Sequence, residues 1–165
     1  MKEKSADSID AIDLRILDVL QSDASLSNQA LAERVHVSPA TCLRRVKRMV
    51  DSGLIERQVA LLSPEKLAAH QGYGLSAIVQ VTLEPQNAQA LDAFEARAVA
   101  KPQVQQCWRV SPGPDFVLVL HVHDMPAYHA LAQHLFSQDA SVRNVKAHFC
   151  VKRAKFVPAL GLGAT

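Results

Sequence analysis

The sequence predicts an α+β chain in two parts, and three observations carry that expectation. Apolar residues recur at helical spacing through the first third. A stretch bearing Pro64, Gly72 and Gly74 then interrupts the pattern, and an alternating order of strands and helices, β-α-β-β-α-β, follows to the end. At 165 residues the chain has room for one ordinary domain or two small ones. A content of 48% hydrophobic and 21% charged residues excludes a disordered or collagen-like chain and implies a buried core. The expected division is 1–62 for the first domain, 63–74 for a linker, 75–157 for the second domain and 158–165 for a tail.

Taken in order, Ile12, Ile16, Leu17 and Leu20 stand at helix spacing behind Asp10, a good N-cap, and predict a first helix from Ile12 to Leu20. Ser27 caps a second, Asn28 to Val35, with Leu31, Ala32 and Val35 as its apolar stripe. Ser38-Pro39 joins a capping hydroxyl to a proline at the first helical position and opens a third, which runs to about Ser52 before Gly53 stops it. On that helix Leu43, Val46 and Val50 are expected to face the core, and Thr41, Arg44, Arg45 and Arg48 to face away. Leu54 to Leu62 reads as one or two short strands, the place of a wing or connecting arm.

Past the break, Leu75 to Leu83 is a strand rich in β-branched residues and Asn87 to Val99 a helix. Val104 to Val110 is a second strand, and the turn Ser111-Pro112-Gly113-Pro114 leads into a third, Phe116 to Val122. Asp124 caps a helix from Met125 to about Ser137, and Val142 to Val151 closes the order. That order is a ferredoxin-like βαββαβ domain, an antiparallel four-stranded sheet with two helices on one face. The other face is left bare, so self-association as a homodimer at least is expected.

Net charge is only +2, from 18 basic and 16 acidic residues, so the total excludes little and the distribution matters. Pro39 to Val50 holds Arg44, Arg45, Lys47 and Arg48 with no acid, whereas Ser5 to Asp23 holds five Asp against Arg15 alone. Positive charge focused on the second of two helices joined by the tight His36-Val37 segment is the footprint of a helix-turn-helix that places its second helix in the major groove of DNA. Cys42, Cys107 and Cys150 are odd in number, widely spaced and without a CxxC pair, which excludes a disulfide framework and a zinc ribbon; Cys42 is expected to be a buried packing residue. The histidines and cysteines on the predicted strands, His121, His123, His148, Cys107 and Cys150, have no diagnostic spacing, so neither metal nor cofactor is assigned. No window approaches the roughly 18 apolar residues of a membrane span. The polar run Met1 to Asp10 is unlike a leader, so a cytoplasmic protein without membrane attachment is expected.

With both halves in place, the chain resembles the Lrp/AsnC family of transcription regulators over nearly its whole length. The residues that carry the likeness are Asp13-Leu14-Arg15-Ile16-Leu17, Leu26-Ser27-Asn28, Leu31-Ala32-Glu33-Arg34-Val35 and, most distinctive, Ser38-Pro39-Ala40-Thr41-Cys42-Leu43-Arg44-Arg45-Val46. Gly53-Leu54-Ile55 and Asp124-Met125-Pro126-Ala127-Tyr128 are also similar to family patterns. The resemblance implies a winged helix-turn-helix on double-stranded DNA, a second domain that senses a small effector such as an amino acid, and a homodimer or a tetramer or octamer built from it. Ser38 and the start of the third helix would then contact phosphate. Thr41, Arg44 and Arg45 would reach base edges or adjacent phosphates, and Lys47, Arg48 and Arg57 would add phosphate contacts and salt dependence.

For the effector, the resemblance implies Gly113, Asp115, Met125 and His148. Pro112-Gly113-Pro114-Asp115 stands where the family has a Gly-Asp-x-Asp turn, so one carboxylate that would partner an α-amino group is missing here. A second resemblance, to sirohaem decarboxylases on the same two-domain plan, implies instead a tetrapyrrole enzyme using histidines and basic residues. No nucleophile-base pair, phosphate-binding glycine loop or carboxylate pair stands out, so no catalytic residue is assigned and an enzyme is not expected.

Overall fold

The computed structural model describes residues 8–72 and 74–163. The polar N-terminal run, with Asp7, lies largely outside these residues. The described chain forms two compact units: one takes the residues up to Leu61 together with those from Lys155 on, and the other is Leu62–Ala154.

In the first unit three helices form, α1 Ala11–Ser22, α2 Asn28–Arg34 and α3 Pro39–Asp51. Their starts are set by local chemistry. Asp10 accepts from the Ile12 and Asp13 amides while Asp13 returns a bond to the Asp10 amide, a complete capping box. Ser27 and Ser38 each accept an amide proton three residues on, and Pro39 follows at the position where a missing N–H costs nothing. Between α2 and α3, His36 takes a positive φ of 58°, uncommon for a residue with a side chain, and Val37 donates to the Ala32 carbonyl at 3.0 Å. The Asn28 side-chain amide donates to the Pro39 carbonyl at 2.9 Å and ties the two helix starts together. The core is small: Ile16, Leu31, Ala32, Val35, Cys42 and Met49.

Two expectations fail here. The inward face of α3 is Cys42, Val46 and Met49, whereas Leu43 and Val50 are exposed. The helix is rotated because Arg45 also turns inward, toward a buried carboxylate on α1. Leu54 to Leu62 contains no strand: the Ile55 amide bonds the Met49 carbonyl, Ile55 is half-buried, and Glu56 to Leu62 is exposed. A short extended segment without a neighbouring strand has no ladder to join.

The second unit opens with α4 Pro64–Gln71, capped by Ser63 with proline at its first turn, in the stretch expected to be linker. Then come β1 Leu75–Leu83, α5 Ala88–Val99, β2 Val104–Arg109, β3 Phe116–Val122, α6 Met125–Ala132 running into a π-helical turn Gln133–Ser137, and β4 Val142–Phe149. The strands lie in the order β2-β3-β1-β4, all neighbours antiparallel, which is the ferredoxin-like arrangement. Alternation along the central strands buries Ala77, Val79, Val81 and Leu83 from β1 and Phe116, Leu118, Leu120 and Val122 from β3. Phe94 of α5 and Phe136 of the π-turn meet them in an aromatic chain, with Phe94 4.9 Å from Phe116 and 6.5 Å from Phe136 between ring centroids.

The opposite sheet face is uncovered. Pairing places Trp108, Val117, Gln80 and Lys146 in one row across it and Gln106, Val119, Ile78 and His148 in the next. Ile78 is 41% and Trp108 58% exposed, large apolar groups that a sheet in water ordinarily covers.

At its end the chain returns to the first unit. The Gln21 side chain accepts from the Leu160 amide at 2.6 Å and donates to the Leu160 carbonyl at 3.1 Å, and Leu162 is half-buried. Residues 155–157, expected in the second domain, thus lie with the first unit along with the tail.

Candidate nucleic-acid interface

The basic helix α3 starts exposed. Ser38 is spent on the helix start, its hydroxyl accepting the Thr41 amide at 3.2 Å and donating to the Thr41 hydroxyl at 2.9 Å. One turn on, Arg44 and Lys47, at i and i+3, share the face opposite Cys42, Val46 and Met49; both are exposed and, among the described residues, neither forms an ion pair.

Arg45 is placed differently. Its side chain is only 17% exposed and its Nη1 reaches Asp10 at 2.8 Å and Asp13 at 2.9 Å. Its Nε is buried without a hydrogen-bond partner. Arg48, half exposed, reaches the other oxygen of Asp13 at 2.5 Å. Asp13 is the one buried charged residue among those described, so α1 and α3 are joined by two arginines closing on a single carboxylate. The expectation that Arg45 reaches base edges is therefore corrected: a guanidinium with two carboxylate partners inside the unit is not aimed outward. The Asp10 carboxyl is held down at about 2, first by the Asp13 backbone N–H and then by the Arg45 guanidinium. Burial pushes the Cys42 thiol up, as suits a packing residue and not a nucleophile.

In the second unit, the effector residues named from the sequence do not converge within one chain. Asp115 is engaged structurally: its carboxylate accepts the Leu83 amide at 2.7 Å and the Gln86 side chain at 3.3 Å, closing the end of β1. Gly113 and Pro114 border a groove of about 250 Å³ on the bare face, shared with Gln80, Thr82, Asn144 and Lys146, residues that sequence reasoning did not single out. Met125 is half exposed at the start of α6, beyond the far end of β3, and seven strand residues span about 20 Å. His148 lies on β4 opposite Ile78, midway along the sheet. The groove's polar lining carried no sequence signal, since strand residues at alternate positions meet only once the pairing register is known. Among the described residues there is no cluster of three or more side chains suited to a metal ion, and no helix is long and apolar enough to cross a membrane.

A helix-turn-helix with an unpaired basic face, followed by a sheet-and-helix unit with a polar groove, defines a DNA-binding regulator with a separate ligand-binding domain. The winged helix-turn-helix DNA-binding model matches residues 9–56, and the Lrp/AsnC ligand-binding domain model matches residues 76–160. An HTH-type transcriptional regulator of Haemophilus influenzae is 35% identical over 147 residues, 89% of this chain and 85% of that one. A leucine-responsive regulatory protein of Rhizobium meliloti is 34% identical over 89% of this chain and 92% of its own length. A Neisseria meningitidis transcriptional regulator solved in complex with L-Met superposes with a TM-score of 0.80 at 31% identity, covering 94% of this chain and 97% of that one. The chain belongs to the Lrp/AsnC family of transcriptional regulators. The matched models and these relatives are those of regulators, and nothing in them supports the tetrapyrrole enzyme as an alternative.

Proposed function

We propose that this regulator binds its operator through α3, with Arg44 as the main base-reading side chain, Thr41 beside it, and Lys47 and the Ser38 end of the helix on phosphate. The observation that carries this is the exposed, unpaired pair Arg44 and Lys47 on a helix whose other two cations are bound internally. An Arg paired with guanine O6 and N7 discriminates against the wrong base by about 1–3 kcal/mol. Arg44→Ala therefore costs specific binding about tenfold to a hundredfold and leaves thermal unfolding unchanged. Fluorescence anisotropy on the DNA upstream of its own gene, against scrambled DNA at two salt concentrations, tests it; equal loss on both sequences would move Arg44 to the phosphates.

The working unit is a homodimer, or a tetramer or octamer built from it, formed through the bare sheet face, and it operates in the cytoplasm where DNA is. Supporting this, Trp108, Ile78, Val117 and Val119 are apolar on that face, and Gly113 and Met125 sit at opposite ends of β3. A second copy turned about a two-fold axis brings one chain's turn beside the other's helix start, which completes a site that one chain leaves divided. The effector is an amino acid or a near relative, in line with the leucine-responsive and L-Met-bound relatives. With the turn's first carboxylate absent and Asp115 engaged, Lys146, Asn144 and Gln80 favour its carboxylate end. A pooled amino-acid mixture added to the anisotropy assay is expected to shift the DNA affinity, and no shift by any pool member removes this part of the assignment.

A further inference from the structure

We propose that Asp13 is a specificity-determining residue of the DNA-binding unit, acting by withholding Arg48, whose carboxylate partner it is, from the phosphate backbone. This rests on α3 being the helix that meets DNA. Asp13 is fully buried, and it spends its carboxylate on the Asp10 amide at 3.1 Å, Arg45 at 2.9 Å and Arg48 at 2.5 Å. Stability does not call for a charge at this place. Asp13 stands three residues before Ile16 on the inward face of α1, where periodicity calls for an apolar side chain. Replacing a buried ion pair by well-packed apolar groups is often neutral or stabilising.

What the carboxylate does change is the set of cations that α3 presents. Arg48 lies one turn after Arg44 and two turns after Thr41, on the flank of the face proposed to meet DNA. Arg48 is already half exposed, and its long side chain reaches that face once nothing holds it. Contacts to phosphate raise affinity for every sequence alike and carry no base information. Holding Arg48 back subtracts sequence-blind affinity, which leaves discrimination to Arg44 at a higher ratio of specific to non-specific binding.

The test uses the full chain and two variants. Asp13→Asn preserves shape and an acceptor for the Asp10 amide but gives up the charge that holds the arginines. Anisotropy is followed over a salt series on an operator duplex selected from random DNA and on a scrambled duplex. Asp13→Asn is expected to bind scrambled DNA more tightly at low salt, with a log K against log salt slope steeper by about one, near 0.9 for Arg48 finding a phosphate, since Arg45 keeps the Asp10 carboxylate. The operator-to-scrambled ratio falls with it. Arg48→Gln alone leaves the wild-type slope unchanged, and combined with Asp13→Asn it removes about one of the slope gained.

A purely structural role would show Asp13→Asn weakening both duplexes together at an unchanged slope, and that result overturns the proposal. If Asp13→Asn does not fold, Asp13→Ser takes its place under the same slope criterion, and in either case a loss of about one in the slope of Arg48→Gln alone overturns the proposal. A wild type that binds neither duplex overturns the α3 assignment as well, whereas a wild type that binds with a slope indifferent to Asp13 overturns this inference only.

Discussion

The two units solve the problem of a core in opposite ways. The second buries fourteen residues, all apolar or aromatic, between a sheet and two helices. The first buries only six apolar residues and sets among them a carboxylate closed by two arginines. A small unit whose recognition helix must stay polar outside has few apolar positions to spend, so part of its helix packing is electrostatic and hydrogen-bonded. The price is that its stability responds to pH and its cations are shared between holding the fold and meeting the ligand. The core of the larger unit, among the described residues, holds no buried carboxylate, and under the proposed function its divided ligand residues are brought together by a second copy.

The sharpest way to test this contrast is to damage each core in its own currency. Phe94→Ala opens a hole between Phe116 and Phe136 and is expected to destabilise the second unit by about 3–5 kcal/mol, read from urea unfolding followed at Trp108. Trp108 is the chain's one tryptophan and belongs to that unit, so its signal reports there. A loss under 1 kcal/mol, far below the range for such truncations, would mean that the aromatic chain is not the keystone of that core.

Smaller is the expected effect of Arg45→Ala, which leaves Asp13 with Arg48 as its one cation and the Asp10 amide. A buried polar group deprived of a partner costs about 1–3 kcal/mol, so the first unit melts earlier in far-UV dichroism. Operator affinity per folded molecule stays close to wild type at neutral pH. Unchanged melting with weakened binding would return Arg45 to the DNA.

The smallest effect is acid sensitivity. Because the Asp10 carboxyl sits at about 2 in the folded chain against an ordinary 3.8, its contribution is complete above the ordinary value and is lost as pH falls toward 2. The helical signal of the first unit should weaken on acidification through that window, and Asp10→Asn should flatten that limb. An identical acid limb in the variant would show that other carboxylates govern it.

How much of this was legible follows from the range of the forces. Caps at Asp10, Ser27, Ser38 and Asp124 act over three residues, so these helix starts could be read directly, whereas Asn87, read as the first helical residue, proves to be the cap of α5. β3 has the bounds expected, because turn signals flank a strongly apolar run. The helix α4 carried the same serine-proline start as α3, but Gly72 and Gly74 and the absence of a clear apolar stripe argued for a linker. The inward face of α3 was misread because periodicity assigns burial to apolar residues, and Arg45 takes an inward place through two carboxylates more than thirty residues away in sequence, Asp10 and Asp13. Which of four adjacent cations is free is a property of that long-range pairing. The effector residues were named by likeness alone; the strand expected between Gly113 and Met125 already set them apart in the sequence, and only the pairing register shows that His148 lies opposite Ile78.

One more consequence follows from the return of the chain end to Gln21. In terms of chain connectivity, the ligand-binding unit is an insertion within the DNA-binding one, joined to it by two covalent crossings, at Leu61 and at Lys155. Cutting the chain after Ala154 therefore removes an irregular segment of the DNA-binding unit, with both of Gln21's backbone partners, and not the trailing edge of the sheet domain. Loop-closure entropy enters here: folding of the DNA-binding unit closes the inserted unit as a loop between Leu61 and Lys155, and that closure costs less when the insert is already folded than when it is a flexible chain.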